Sequence, residues 1–326
     1  NPKTCNSPTS TTDARGNTTD FTYDSTHGGV LTVTAPAPTA GATRPKQTFT
    51  YVAQSGITLP ASVSQCASQA SCAGTADEVK STVTYGASGG GKFQPVQVSS
   101  GNGTGTLTAT TQLAYDIYGN LTSIDGPLAG VDDTTTAVYD GLRRQVGTIS
   151  PDPDGAGGRP HVAQRRVFAT NGDLTLVQVG TTPDATPSGW AAFASAFHRF
   201  FLYDANGRVI RTTLWSSGVD YEVADFLYDS ENRRTCAIQY MNPAVWGPQA
   251  SACAPLQTNG PNGPDRVSKT LYDANGRPTD VLVAVGVSGQ EATERKLAYS
   301  NNGVLAHLID ANNNARPMNM TATTGW

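Results

Sequence analysis

Few residues in this 326-residue chain have the types and spacing that covalent or metal chemistry demands. Gly86-Ala87-Ser88-Gly89-Gly90 spells G-x-S-x-G. A nucleophile elbow, however, needs a strand, the serine and then a helix, with a base close by. The glycines after Ser88 cannot open a helix, so the stretch reads as a flexible hairpin tip. Gly86 to Gly91 with Lys92 also imitates a phosphate loop, but Phe93 stands where a magnesium-binding Ser or Thr belongs. His27, His161, His198 and His307 are the only histidines, and no two share helical metal-ligand spacing. Asp152 and Asp154, with Asp132 and Asp133 upstream, could offer oxygens to calcium. They lack EF-type spacing, and Asp-Gly turns account for them without an ion. No catalytic residue, metal or cofactor is expected.

One pairing does recur. Tyrosine next to aspartate could act as an acid and a base, and it stands at Tyr115-Asp116, Tyr139-Asp140, Tyr203-Asp204, Tyr228-Asp229 and Tyr272-Asp273, with Tyr23-Asp24 as a drifted copy. A catalytic pair needs one uniquely perturbed environment, whereas a motif repeated down a chain needs only a structure that repeats. The fuller copies say which structure. Tyr203-Asp204-Ala205-Asn206-Gly207-Arg208 and Tyr272-Asp273-Ala274-Asn275-Gly276-Arg277 place Asp, Asn and Gly in turn order, and Tyr115-Asp116 is followed by Gly119. The aspartate suits the first turn position, Asn206 and Asn275 tolerate the bridge or left-handed region, and Gly207 and Gly276 supply positive φ. Tyr85-Gly86, Phe49-Thr50-Tyr51, Phe168 to Gly172 and Tyr299 to Gly303 are weaker versions.

Aromatic and β-branched runs flank each turn, as in Arg199 to Leu214 and again over 269–284. Such runs on both sides of a turn make a hairpin, and a left-handed glycine adds a bulge and extra twist. The expected fold is therefore all-β, about ten antiparallel hairpins in series forming a twisted ribbon, a partial shell or a solenoid-like wall. The tyrosines are expected to stack along it and the aspartates to cap turns. Arg208 and Arg277 are expected to pair with a carboxylate of an adjacent unit. Residues 1–326 form a single elongated array with inserted loops at 60–78, 150–160, 180–196 and 241–265. Trp190, Phe193 and Phe197 have helical spacing, so a short helix over 189–196 capped by Ser188 competes with a strand there.

The hexapeptides at 203–208 and 272–277, with Asp13-Ala14-Arg15-Gly16-Asn17-Thr18 leading into Tyr23-Asp24, resemble the YD repeats of the Rhs family. That family includes bacterial polymorphic-toxin carriers, the B and C components of insecticidal Tc toxins, and animal teneurins. The resemblance runs from about Asp13 to Arg316. It implies a long antiparallel ribbon spiralling into a hollow shell that commonly encloses a C-terminal toxin. The region carrying the family's self-cleaving aspartate site has no counterpart in this sequence. Fold alone does not fix function.

Composition fits a wall. Hydrophobic residues make up 37% and charged residues 15%, both below the usual ~45–50% and ~25% of globular domains. A net charge of −4 gives no electrostatic case for nucleic acid or an anionic membrane. No apolar run is long enough to span a bilayer as a helix. Cys66 with Cys72 and Cys236 with Cys253 are candidate disulfides; the alternative is reduced thiols packed as small hydrophobes, and Cys5 has no assigned partner. Disulfides would place the protein outside the cytosol, secreted or on a bacterial cell surface. Starting at Asn1 and ending in an unfinished repeat at 310–316, the chain is expected to be a processed product or part of a longer one.

The expected role is a non-enzymatic structural segment that encloses or displays other protein. Its partners would be the remainder of its own longer chain or identical copies, with an enclosed toxin or surface glycans as further ligands. Two alternatives are a surface filament joined by edge-strand pairing and a carbohydrate- or receptor-binding module using Trp190, Trp215 or Trp246.

Overall fold

The computed structural model describes residues 4, 6–66, 71–130, 133–155, 157–247, 249–255 and 259–318; Cys5 and Asp132 lie outside them. The fold is all-β, and each strand ladder that joins neighbours in the chain is antiparallel. Contacts divide it into two compact units: Asn1–Ala163 with Thr182–Phe193, and Gln164–Thr181 with Ala194–Trp326.

In the first unit, strands such as Lys46–Gln54, Ile57–Cys66, Glu78–Tyr85 and Pro95–Asn102 each pair with the next. Their alternating Thr and Ser fill one face, where cross-strand hydroxyls meet at Thr22–Thr32 (2.7 Å), Thr50–Ser62 (2.6 Å) and Ser99–Thr110 (2.8 Å). Few of the described side chains here are fully buried; Cys72, Ile149 and Ala163 are the apolar ones among them. The low hydrophobic content therefore shows as a sheet held by ladder hydrogen bonds and hydroxyl pairs more than by a thick core.

The second unit holds the larger apolar centre. Strands Ala194–Tyr203, Val209–Ser216, Val219–Tyr228, Arg234–Gln239, Arg266–Tyr272 and Pro278–Val283 pair in sequence order. Period-two alternation sends Val223, Cys236, Ile238 and Val267 to one face, where Tyr240, just after the strand Arg234–Gln239, and Ala250 of the 241–265 excursion cover them. Leu227, Trp246, Cys253 and Val285 pack around this cluster.

Three sequence expectations shift. The helix is Pro187–Ala191, not 189–196, and its cap is Thr186, whose Oγ1 accepts the Gly189 N–H at 3.1 Å. Pro187 at the first helical position favours this earlier start. Phe197 instead lies in the strand Ala194–Tyr203. Residues 60–66 continue a strand, so the first excursion is confined between Cys66 and Glu78. Gly86–Gly91 is not a loose tip: it holds a short 3₁₀ turn, and a Cβ on Gly90 would sit 1.8 Å from the Asp116 carbonyl oxygen. Only glycine permits that approach.

Both proposed cysteine pairs are bonded, with Cα–Cα distances of 5.5 Å for Cys66–Cys72 and 5.7 Å for Cys236–Cys253. The second spans 17 residues and ties the 241–265 excursion to the strand beneath it. Replacing Cys236 and Cys253 together by Ser is expected to cost about 3 kcal/mol, and the shorter Cys66–Cys72 loop less. Urea unfolding of the two double variants checks the order; equal losses would contradict it.

Candidate functional site

The aspartate turn is a defined hydrogen-bonded object. In Asp204 the Oδ1 oxygen accepts the N–H groups of Asn206 (2.9 Å) and Arg208 (3.0 Å), while Oδ2 accepts Arg208 Nε at 2.6 Å. Asp273 does the same with Asn275 and Arg277, Asp229 with Glu231 and Arg233, and Asp140 with Leu142 and Arg144. At Asp13, Asp116 and Asp310 an asparagine replaces the arginine: Asn17, Asn120 and Asn314 each offer Nδ2 to Oδ2. The left-handed position is Gly119, Gly207 or Gly276 in the fuller copies, with Arg143 and Asn232 where glycine is missing. Asn206 and Asn275 keep negative φ, so their side chains are not there to tolerate the left-handed region.

Arg208 and Arg277 pair with the carboxylates of their own turns, at 2.6 Å and 2.7 Å, not with an adjacent unit's. The four-residue spacing across a tight turn brings guanidinium and carboxylate together locally. Toward the next unit, Arg208 Nη1 donates to the Asp229 carbonyl (3.2 Å) and to Asn232 Oδ1 (3.0 Å), and the guanidinium faces also reach across. Arg208 lies over the Tyr228 ring (4.7 Å), Arg233 over Tyr272 (4.7 Å) and Arg277 over Tyr299 (4.6 Å).

The tyrosines form a relay. Each hydroxyl donates to the carbonyl of the residue paired opposite the preceding repeat's aromatic. Tyr51 bonds Val30, the register partner of Tyr23; Tyr85 bonds Pro60, the partner of Tyr51; Tyr115 bonds Pro95, the partner of Tyr85. Tyr139 bonds Leu121, Tyr228 bonds Val209, Tyr272 bonds Arg234 and Tyr299 bonds Pro278, all at 2.9–3.0 Å. Tyr203 bonds Leu174 at 2.9 Å. A register shift falls immediately before every one of these aromatics, at Thr50/Tyr51, Thr84/Tyr85, Ala114/Tyr115, Val138/Tyr139, Leu202/Tyr203, Leu227/Tyr228, Leu271/Tyr272 and Ala298/Tyr299. The bulge re-aims a side chain out of strict alternation. Burial pushes the Tyr115 and Tyr203 phenols up, which keeps them protonated as donors.

A different arrangement, absent from the sequence reading, sits under the 241–265 excursion. Asp225 has no solvent exposure and accepts four hydrogen bonds, from Arg211 Nε (2.6 Å), Arg211 Nη2 (2.9 Å), the Tyr240 hydroxyl (2.6 Å) and the Ala250 N–H (2.7 Å). Arg211 Nη1 also donates to the Gly247 carbonyl at 3.2 Å. Burial, then the Asp225 carboxylate, pushes the Tyr240 phenol far up; the Asp225 hydrogen bonds hold Arg211 charged despite burial. The one available signal was a carboxylate in the inward phase of an apolar strand, paired in register with an arginine. The group clamps the excursion to the strands beneath it.

The remaining candidates have structural partners. Asp152 Oδ1 accepts the Asp154 N–H, and its Oδ2 lies 3.9 Å from His161 Nε2. Asp154 Oδ2 accepts the Arg159 N–H, and Asp133 Oδ2 accepts that of Leu128. Among the described residues, the cluster with metal-ligand proximity is Cys66, Cys72 and Asp77, whose two thiols are spent in the disulfide. Trp190 stands against Gly147, where a Cβ would lie 2.4 Å from the indole; Trp215 stacks on His198 at 4.7 Å; Trp246 packs on the apolar cluster.

No family model and no curated protein matches the chain. Among solved structures it resembles TcdB2-TccC3 without its hypervariable C-terminal region, at 15% identity and a TM-score of 0.49, over 95% of this chain and 16% of that one. It also resembles TcdB2-TccC3-Cdc42, at 14% and 0.46, over 94% and 18%. A third is the Photorhabdus luminescens Tc holotoxin pore, at 14% and 0.36, over 94% and 16%. The chain thus spans less than a fifth of these solved chains. Identities this low and scores under 0.5 leave the weight of the functional reading on this chain's own geometry.

Two outcomes follow from the charge arrangement. Asp225→Ala strands a buried guanidinium and is expected to cost about 3–5 kcal/mol, with faster proteolysis inside 241–265; a loss under about 1 kcal/mol in urea unfolding would contradict the clamp. The Arg208 and Arg277 N–H groups, then their guanidiniums, hold Asp204 and Asp273 below the ordinary carboxylate value. The unfolded chain then binds more protons in acid, so this stability is whole above about pH 4 and lost as pH falls below it. The urea midpoint should drop on acidification, and less steeply in Asp204→Asn with Asp273→Asn.

Proposed function

We propose that this chain is a non-enzymatic structural wall, a segment of a β-shell that encloses or displays other protein outside the cytosol. The observation that carries the reading is the relay: each tyrosine of the repeated motif is spent on the backbone of its neighbouring repeat, so the tyrosines that might have served as acids are engaged in joining one unit to the next. The aspartates are likewise occupied by their own turns. Two disulfides support a location where thiols stay oxidised. No helix among the described residues is long and apolar enough to cross a membrane. The partner expected is more chain of the same kind or the protein that the wall surrounds, in the manner of a toxin carrier.

Digestion of material purified from the native source tests this. A second protein, or a further segment of the same product, should co-purify and resist protease until the wall is opened in acid. A monomer that carries nothing, and is digested alike before and after acid exposure, overturns the reading. At the level of the relay, Tyr115→Phe and Tyr203→Phe should each lose about 0.5–1.5 kcal/mol, one ordinary hydrogen bond. Both measured in urea with unchanged stability would remove the relay as the joint between units.

A further inference from the structure

The second unit holds a concavity of about 660 Å³ between its strands and Asn262, Pro264 and Asp265 of the 241–265 excursion, within the ~300–1,000 Å³ range of small-molecule sites. Its shape comes from one row of register partners. Phe226 pairs with Ala237, Ala237 with Ser268, and Ser268 with Val283, so large residues flank two small ones across four strands. Side chains on one face of a sheet stand side by side at each pairing, and this row therefore forms a trough. Ala224 extends its floor, and Val287, on the loop after Val283, adds an apolar wall.

The charges on the lining are unequal in their commitments. Glu222 is answered by Arg199 at 3.5 Å. Asp265 is buried and accepts the Met241 N–H at 2.9 Å. Arg266 is exposed, and its guanidinium makes no hydrogen bond or ion pair among the described residues. A planar guanidinium beside an apolar trough offers a two-pronged donor to an oxyanion. Two carboxylates on the same lining disfavour a dianion, which leaves a singly charged group.

We infer that this trough binds a monocarboxylate with an apolar body, its carboxylate on Arg266 and its hydrocarbon over Ala224, Ala237 and Ser268. The proposal is independent of the wall function, since it concerns one face of one unit.

The test titrates dansyl-undecanoate into the whole chain and follows fluorescence, with dodecanoate and dodecanol as competitors. Saturable binding is expected, displaced by dodecanoate and about tenfold less well by the alcohol, which lacks the charge. Arg266→Gln should weaken binding about tenfold with unchanged circular dichroism, and Ala237→Phe should abolish it by filling the trough. If Ala237→Phe fails to fold, Val287→Glu, which sets a like charge on the loop wall, should abolish binding instead. Absence of saturable binding overturns the proposal, as does equal competition by acid and alcohol. Unchanged affinity in Arg266→Gln, or in both trough variants, overturns it too.

Discussion

The structure depends on a carboxylate that closes its own turn. In each full copy an aspartate gathers two backbone N–H groups on one oxygen and the fourth residue's side chain on the other. The turn is thereby set without help from the rest of the chain, and the paired strands leave it at a fixed register with a bulge beside the aromatic. That bulge aims the phenol at the preceding repeat. The arginine held by the aspartate lies over the phenol of the following one. Local electrostatics thus fix the hairpin, and the hairpin fixes the joints on both of its sides.

This arrangement explains how so little apolar material makes an ordered protein. A globular domain of this size draws on a thick core, whereas among the described residues the fully buried apolar side chains are few and gather chiefly beneath one excursion. Elsewhere order comes from ladder hydrogen bonds, hydroxyl pairs and the relay, each satisfied between neighbours. Stability of that kind adds up unit by unit. The tyrosines and aspartates of the motif are held in these joints and turns.

Much of this was legible in the sequence because turn chemistry is local. Asp, then Gly three residues on, then Arg specifies a backbone conformation regardless of what lies far away, and strand pairing follows from it. The same locality overturns the expectation that Arg208 and Arg277 pair with an adjacent unit's carboxylate, since four residues across a tight turn already bring charge to charge. Three-dimensional bulges hid the relay, since one extra residue changes which atom a tyrosine can reach without changing its letter. The Asp225 clamp was legible only as far as its in-register pairing with Arg211, because Ala250 reaches the carboxylate only after the excursion folds back. Aromatic spacing points to a helix over 189–196, but Pro187 marks where the helix can begin, and it starts there.

The relay has no memory of spacing. Its acceptor is whichever residue sits opposite the last aromatic, so the same bond forms whether the intervening stretch is as short as that from Tyr203 to Tyr228 or as long as that from Tyr228 to Tyr272. The long stretch contains a clamped, disulfide-tied lobe that the flanking hairpins scarcely register. A chain built this way can acquire cargo between any two hairpins and keep its frame, and its descendants should differ more in what they have inserted than in what they have substituted.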